Sequence, residues 1–148
     1  MKIRPFTIPA GLDQKFIPAA EKLNRLIAAA NQHDLPQGLV QAFNQKLTNL
    51  EQKLPNPETK VSSISKLTAE LIDSLRADAK LFTKNHFLNF WMSLGMAVFG
   101  IPFGVAFSAV LKNFAFVGIG LPIGFSIGIG IGTAKDNQVK KEGRQLDF

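Results

Sequence analysis

Side chains that could act as nucleophiles, proton carriers or metal ligands are sparse in this sequence and do not cluster. The chain has two histidines, His33 and His86, and no cysteine, which excludes thiolate chemistry, disulfides and cysteine-containing metal sites. Ser62, Ser63 and Ser65 have no histidine near them in sequence that could serve as a base, so we expect them to cap or solvate a helix. The sequence therefore predicts no enzymatic activity, no cofactor and no metal.

Acidic residues and glycines also give no indication of a reaction. Asp73 and Asp78 lie among Arg76 and Lys80, a mixture that is typical of a solvated helix face. The glycine-rich segment lacks the Gly-Lys-Ser/Thr ending of a phosphate-binding loop and follows no predicted strand. No small-molecule substrate is indicated.

The rest of the sequence is organised around an apolar block, Phe87–Ala134, in which Lys112 is the only charged residue. The part of the chain before this block holds twelve Lys or Arg and eight Asp or Glu. The chain therefore joins a highly charged segment to an almost uncharged apolar one. A helix of about 20 residues crosses the hydrocarbon core of a bilayer, which is about 30 Å thick. Phe87–Leu111 and Phe114–Gly132 each meet that length, and we predict two transmembrane helices with the turn at Lys112 and Asn113.

The charges flanking the block predict its orientation. Basic residues lie before the first span and after the second, whereas Lys112 alone lies at the turn. Because Lys and Arg flank membrane helices on the cytoplasmic side, we predict a bacterial inner-membrane protein with both termini in the cytoplasm. An interfacial belt is expected where the first span begins, at His86, Phe87, Phe90 and Trp91. The net charge of +6 favours membrane lipid over nucleic acid as the partner, because the cations alternate with acidic residues and form no basic patch.

Small residues recur every four positions in both spans, a spacing that lets helix backbones approach closely in lipid. Between the two spans we expect a facing row, Gly100, Gly104 and Ser108, to meet an inner row, Gly120, Gly124, Gly128 and Gly132. An outer row, rotated by about 200° on the second helix, consists of Gly118, Pro122, Ser126 and Gly130. The outer row is available to a neighbouring molecule and predicts a homo-oligomer; the alternative is that it only meets lipid.

Two features of these spans leave alternatives open. Gly118–Gly132 alternates small and large residues with a period of two, which is also a strand pattern, but a lone strand would leave main-chain groups unsatisfied in lipid. We therefore predict a helix there; the alternative is a strand in a barrel that many copies close. Pro102 and Pro122 occupy matching positions in the two spans, and each can kink its helix because it removes one main-chain hydrogen bond.

These glycine patterns resemble a known group of proteins. The segments Gly100-Ile-Pro-Phe-Gly104, Gly118-Ile-Gly-Leu-Pro-Ile-Gly124 and Gly128-Ile-Gly-Ile-Gly132 are similar to the glycine-zipper hairpins of small, mostly uncharacterised bacterial two-span membrane proteins. The resemblance covers about residues 100–136 and implies an oligomer-prone membrane anchor without an assigned activity. The outline is also similar to rotor-ring subunits of ATP synthases, but the membrane carboxylate of those subunits has no counterpart between Asp78 and Asp136.

The first part of the chain predicts a small helical bundle. Residues 1–17 contain two prolines that disfavour a helix, and we expect an extended arm. Apolar residues at helical spacing predict three helices within 18–86, a cytoplasmic domain whose third helix either ends near Lys84 or continues into the membrane. In the second helix they form a hydrophobic seam that either packs in the bundle or docks a protein partner: Val40, Phe43, Leu47, Leu50 and Leu54.

The sequence thus predicts an all-α protein, in which a cytoplasmic helical bundle precedes a membrane hairpin (87–134) and a basic tail (135–148). We expect a non-enzymatic membrane protein, acting as a self-associating scaffold or accessory subunit. The alternative is a pore-forming or membrane-remodelling protein, such as a secreted toxin or effector that inserts its hairpin into a target membrane.

Overall fold

The computed structural model describes residues 2–7, 14–54 and 61–148. Helices account for most of the described residues, which confirms the predicted all-α class. The chain divides into two compact units. The N-terminal unit comprises Met1–Phe82 with Leu146–Phe148, and the hairpin unit comprises Thr83–Gln145.

Three helices build the N-terminal unit: α1 (Ile17–Ala30), α2 (Gln37–Lys53) and α3 (Val61–Asp78). One 3₁₀ turn, Gln14–Phe16, leads into α1, and Pro18 lies in the first turn of α1, where the missing N–H of proline is tolerated. Of the predicted N-terminal arm, residues 2–7 form neither helix nor strand, and residues 8–13 lie outside the described part of the chain.

The core of the N-terminal unit consists of apolar side chains from all three helices and from both ends of the chain. The largest fully buried ones include Leu23 and Leu26 of α1, Leu71 and Leu75 of α3, and Leu146 near the C-terminus. Burial of each such side chain contributes about 1.5–3 kcal/mol. Apolar packing therefore stabilises this unit.

The hydrophobic seam of α2 belongs to this core, which corrects its prediction as a docking surface. Val40, Phe43, Leu47 and Leu54 are at most 4% exposed, and Leu50 is partly buried against them. The seam is covered within the N-terminal unit: α3 packs on α2, and buried side chains of α1 and of residues 2–7 belong to the same hydrophobic cluster.

Helix α3 ends at Asp78, so the prediction that it reaches Lys84 or continues into the next helix is wrong. Lys80 adopts a left-handed conformation with φ of 55°, and the main-chain N–H of Leu81 donates to the carbonyl of Leu75 at 3.1 Å. This geometry ends the helix, because the left-handed residue cannot continue the α-helical hydrogen bonds. Two short strands, β1 (Phe82–Thr83) and β2 (Gln145–Leu146), pair with each other.

The hairpin unit contains helices α4 (His86–Gly95), α5 (Ile101–Leu111) and α6 (Val117–Lys141). A single π-helical turn, Met96–Gly100, joins α4 to α5 without a break, and a 3₁₀ turn, Phe114–Phe116, leads into α6. Two helical stretches of 26 and 28 residues result, each long and apolar enough to span a membrane. Helix α6 includes the whole glycine-rich segment and continues into the first residues of the predicted tail.

Candidate functional site

The two long helices of the hairpin unit meet along main chain rather than along side chains. The inner row on α6 and Gly95, Gly100 and Gly104 on the other stretch are all buried. A Cβ atom added at Gly132 would lie 2.6 Å from the Cα of Leu88, and one added at Gly100 would lie 3.2 Å from the carbonyl oxygen of Gly120. Only glycine permits backbones this close.

The contacts follow an antiparallel register. Proceeding along α6, each glycine meets residues progressively earlier in the first stretch: Gly120 meets Gly100 and Gly104, Gly124 meets Gly95 and Gly100, Gly128 meets Trp91 and Met92, and Gly132 meets Phe87 and Leu88. The structure thus brings the facing and inner rows together at the glycine positions that sequence spacing indicated. The observed contact is longer than the predicted facing row. It also includes Gly95 and, about two helical turns before Gly95, the main chain of Phe87 and Leu88.

Gly95 is the member of this contact that sequence spacing missed. It precedes Gly100 by five residues, which on a regular α-helix would place the two about 140° apart. The π-helical turn absorbs the extra residue, since the N–H of Ile101 donates to the carbonyl of Met96, five residues earlier. Pro102 follows directly, and its missing N–H leaves the carbonyl of Val98 without its usual α-helical partner. Pro102 was therefore the feature of the sequence that could have indicated an irregular helical turn before it.

Large apolar side chains of the hairpin unit point away from the glycine contact. Phe90, Val98, Ile101, Val105 and Val110 are each at least half exposed. Further exposed side chains are Phe103, Phe107, Leu111, Phe114, Ile119, Leu121, Phe125 and Ile129. Only 22% and 17% of the most apolar windows of the two stretches are buried. The unit therefore has the reverse of a water-soluble arrangement, with its smallest residues inside and its largest apolar residues outside.

The outer row of α6 faces away from the other helix. A Cβ atom added at Gly118 or Gly130 would meet nothing within 4 Å among the described atoms. Pro122 and Ser126 are exposed, and the Ser126 hydroxyl donates to the carbonyl of Pro122 at 2.9 Å. Among the residues that the structure describes, none covers this strip of small residues.

The turn between the long helices lies at Lys112 and Asn113, as the sequence indicated. Lys112 is left-handed with φ of 53°, and the N–H of Asn113 donates to the carbonyl of Ser108 at 3.1 Å, which closes the end of α5. The Asn113 side chain accepts from the N–H of Ala115 and caps the following turn. Ser108 is buried and donates its hydroxyl to the carbonyl of Asn113, so it also holds the turn together.

At the opposite end of the hairpin unit, Asp136 of α6 caps the first turn of α4. Its two carboxylate oxygens accept hydrogen bonds from the main-chain N–H groups of Phe87 and Leu88, at 3.0 and 2.8 Å. These N–H groups have no partner within α4 because they belong to its first turn, and the carboxylate also favours the positive end of the helix dipole. Sequence reasoning placed Asp136 in the tail; its position four residues beyond the inner row was the signal for a role in packing.

The predicted belt residues lie at this capped end. The rings of His86 and Phe87 meet edge-to-face with centroids 5.1 Å apart, and those of Phe90 and Trp91 do so at 6.1 Å. The ammonium of Lys135 lies 5.9 Å from the Phe87 ring centroid, within cation–π range. The predicted belt residues and Lys135 therefore lie together at the capped end of the unit.

Among the residues that the structure describes, no group of three or more His, Asp or Glu side chains could hold a metal ion. The arrangement in the hairpin unit is one of packing surfaces: a closed glycine contact, an uncovered outer row and an apolar exterior. No family model, curated protein or solved structure matches this chain.

Proposed function

We propose that this chain is a non-enzymatic integral membrane protein, in which the hairpin unit is the membrane anchor of a self-associating scaffold or accessory subunit. The observation that carries the proposal is the reversed arrangement of the hairpin unit. Its helices touch through glycine main chain, while phenylalanine, valine and isoleucine side chains form its exterior.

The choice of solvent follows from the energetics of that exterior. In water, each large apolar side chain left exposed forgoes about 1.5–3 kcal/mol of burial, and more than ten such side chains are exposed here. In lipid the same apolar side chains can stay exposed without this loss. Helix association there is stabilised mainly by van der Waals packing, which close backbone approach at small residues permits. A core helix of a soluble protein would bury most of its apolar window, whereas these helices bury about a fifth.

The proposed orientation rests on the charges at the two ends of the hairpin. Lys135, Lys140 and Lys141 lie at the capped end, and Lys112 lies at the turn. The excess of cations at the capped end favours a cytoplasmic location for both ends of the hairpin, with the turn outside. In this proposal the membrane is a bacterial inner membrane.

Self-association is proposed through the outer row. Gly118 and Gly130 have room for a neighbouring backbone, and Ser126 adds a small polar side chain between them. Because a helix row of small residues is the usual contact surface between membrane helices, a second copy of α6 is the proposed occupant. The N-terminal units would then be gathered on one membrane surface.

The orientation can be tested with single cysteines, since the chain has none of its own. We expect K112C to react with a membrane-impermeant maleimide only from the outer side, and K141C only from the cytoplasmic side. V105C, on the exposed apolar face of the first stretch that is proposed to meet lipid, serves as the matched control and should react from neither side. Labelling of K112C and K141C from the same side would refute a two-span anchor.

A pore-forming protein is the alternative function, and a conductance measurement distinguishes it from a membrane anchor. The Ser93 and Ser126 hydroxyls donate to the carbonyls of Asn89 and Pro122 in their own helices, which favours packing over the lining of a water-filled path. Purified protein in a planar bilayer is expected to give no discrete conductance steps. Reproducible steps that G118L abolishes would instead assign a pore to the outer row.

A further inference from the structure

Residues 2–7, here called the strap, are held on the N-terminal unit by side chains, in the way that a peptide ligand is held. The Asn31 side chain accepts from the N–H of Ile3 and donates to its carbonyl, both at 2.8 Å. The Asn24 side chain does the same for Phe6, at 2.7 and 3.0 Å. Each side-chain amide thus binds the main-chain N–H and carbonyl of one residue. Any extended segment presents these two groups, so these contacts do not depend on the side chain of the bound residue.

Helix α2 supplies the other side of the groove. The Asn44 side chain accepts from the N–H of Arg4 at 3.0 Å, and Glu51 accepts from the N–H of Thr7 at 2.9 Å. The Glu51 carboxylate also binds both terminal nitrogens of the Arg4 guanidinium, at 2.9 and 2.7 Å. The Thr48 hydroxyl accepts a further hydrogen bond from Arg4 at 3.0 Å.

The spacing of these groups matches an extended chain. Asn24 lies on α1 and Asn31 directly follows its last residue in helical conformation, so they are about two helical turns apart. Asn44 and Glu51 on α2 have the same separation, a rise of about 10.5 Å. The residues that they hold are three apart in the strap, and three extended residues also cover about 10 Å. Both walls of the groove are therefore in register with one extended segment.

The groove also selects side chains. Ile3 and Phe6 are 1% and 2% exposed, so two apolar positions of the ligand are buried. Between them, the Arg4 guanidinium donates a bidentate hydrogen bond to the Glu51 carboxylate, which a lysine cannot reproduce. The groove fits an extended segment with the pattern apolar, arginine, any residue, apolar.

We propose that this groove also accepts the strap of a second copy, so that neighbouring chains exchange straps. The strap is the one segment whose fit to the groove the structure establishes, and a second copy offers the same segment. Exchange of an identical element needs no new contact, because every hydrogen bond of the strap is reproduced between copies. The high local concentration of copies rests on the proposed membrane anchor, which confines them to one plane.

A charge-reversal experiment separates exchange from binding within one chain. R4E and E51R each break the Arg4–Glu51 pair inside their own chain. Mixed together, they restore it in both directions, but only between chains. The double variant R4E/E51R restores the pair within each chain and is the matched control for folding and for association through the hairpin.

Each full-length variant is labelled with a donor or an acceptor fluorophore, reconstituted in lipid nanodiscs that hold two copies, and compared by energy transfer. We expect the R4E and E51R mixture to associate at least about tenfold more tightly than either variant with itself, a difference of about 1.4 kcal/mol. Should a single variant fail to fold, refolding of the two together is the expected rescue.

Strap exchange would be overturned if R4E and E51R associate with each other no more strongly than each does with itself. It would also be overturned if the two variants fail to refold together while R4E/E51R folds. The control keeps this result apart from the anchor. Self-association of R4E/E51R through the hairpin can persist when exchange fails. If the chain proves soluble without lipid, the same mixing in buffer still tests exchange.

Discussion

Asp136 and Leu88 are 48 residues apart in sequence, yet the carboxylate of the first accepts a 2.8 Å hydrogen bond from the main-chain N–H of the second. The same carboxylate binds the N–H of Phe87, so the end of α6 caps the beginning of α4. Gly132 lies one turn earlier on α6, against Phe87 and Leu88. The cap and the glycine contact together fix the register of the two long helices.

Removal of this cap should loosen the open end of the hairpin. We expect D136A to lower the free energy of unfolding by about 1 kcal/mol, the usual cost of losing a helix cap. Thermal unfolding in detergent, followed by circular dichroism, measures this loss. D147A, which removes an exposed carboxylate outside the hairpin unit, is the control. Equal stability of D136A and D147A would mean that the cap contributes nothing to the register.

Methyl groups added along the inner row should separate the helices. In G124A the new Cβ would meet the main chain of Gly95 and Gly100, and overpacking of this kind costs about 1–3 kcal/mol. G130A is the matched control on the outer row, where the added Cβ has open space and alanine favours the helix by about 0.5–1 kcal/mol. Thermal unfolding of both variants in detergent measures the difference. Equal destabilisation by both would contradict the glycine contact.

The strap should respond to acid. Burial alone raises the pKa of Glu51, but hydrogen bonds from the Arg4 guanidinium and the Thr7 N–H, with the Arg4 charge, outweigh it and hold the pKa below its usual range. A carboxyl whose pKa is lower in the folded chain stabilises the fold above its unfolded pKa of about 4.3. This contribution is lost as the pH falls through the folded value.

We therefore expect the wild-type N-terminal unit to lose up to about 1 kcal/mol more than E51Q between about pH 5 and pH 3, because the pair is partly exposed. Thermal unfolding as a function of pH measures this difference. E21Q, which changes an exposed carboxyl of α1, is the control and should follow the wild type. Parallel pH profiles for wild type and E51Q would show that the Arg4–Glu51 pair does not hold the strap.

Truncation within the hydrophobic seam should affect the N-terminal unit alone. Leu47 is fully buried, and L47A is expected to cost about 2–5 kcal/mol through lost contacts and a cavity. Q45A, on the exposed side of the same helix, should be neutral. Limited proteolysis in membranes measures the opening of this unit. Release of L47A from the membrane would contradict a hairpin that anchors on its own.

Regular patterns in the sequence predicted regular parts of the fold. The three-to-four spacing of leucines in α1–α3 and the four-residue spacing of glycines in α6 both correspond to observed helices. Such patterns work because each residue repeats the same local environment along one face. They do not reveal which element covers that face, and the seam of α2 was therefore open to two interpretations.

The features that the sequence did not predict depend on single residues or on distant pairs. Lys80 ends α3 by adopting a left-handed conformation that few lysines adopt, so composition gave no warning. Gly95 joins the glycine contact only because a π-helical turn changes the phase of the helix. The pairs of Asn31 with Ile3 and of Asp136 with Leu88 link residues far apart in sequence, and no local pattern encodes them.

Whether lipid is the solvent of the hairpin unit is measured most directly by partition of the purified full-length chain between an aqueous phase and a phase-separating nonionic detergent, together with alkaline extraction of membranes that contain it. We predict that the chain enters the detergent phase and stays with the membrane pellet. A chain that remains in the aqueous phase as a compact monomer would contradict the membrane anchor.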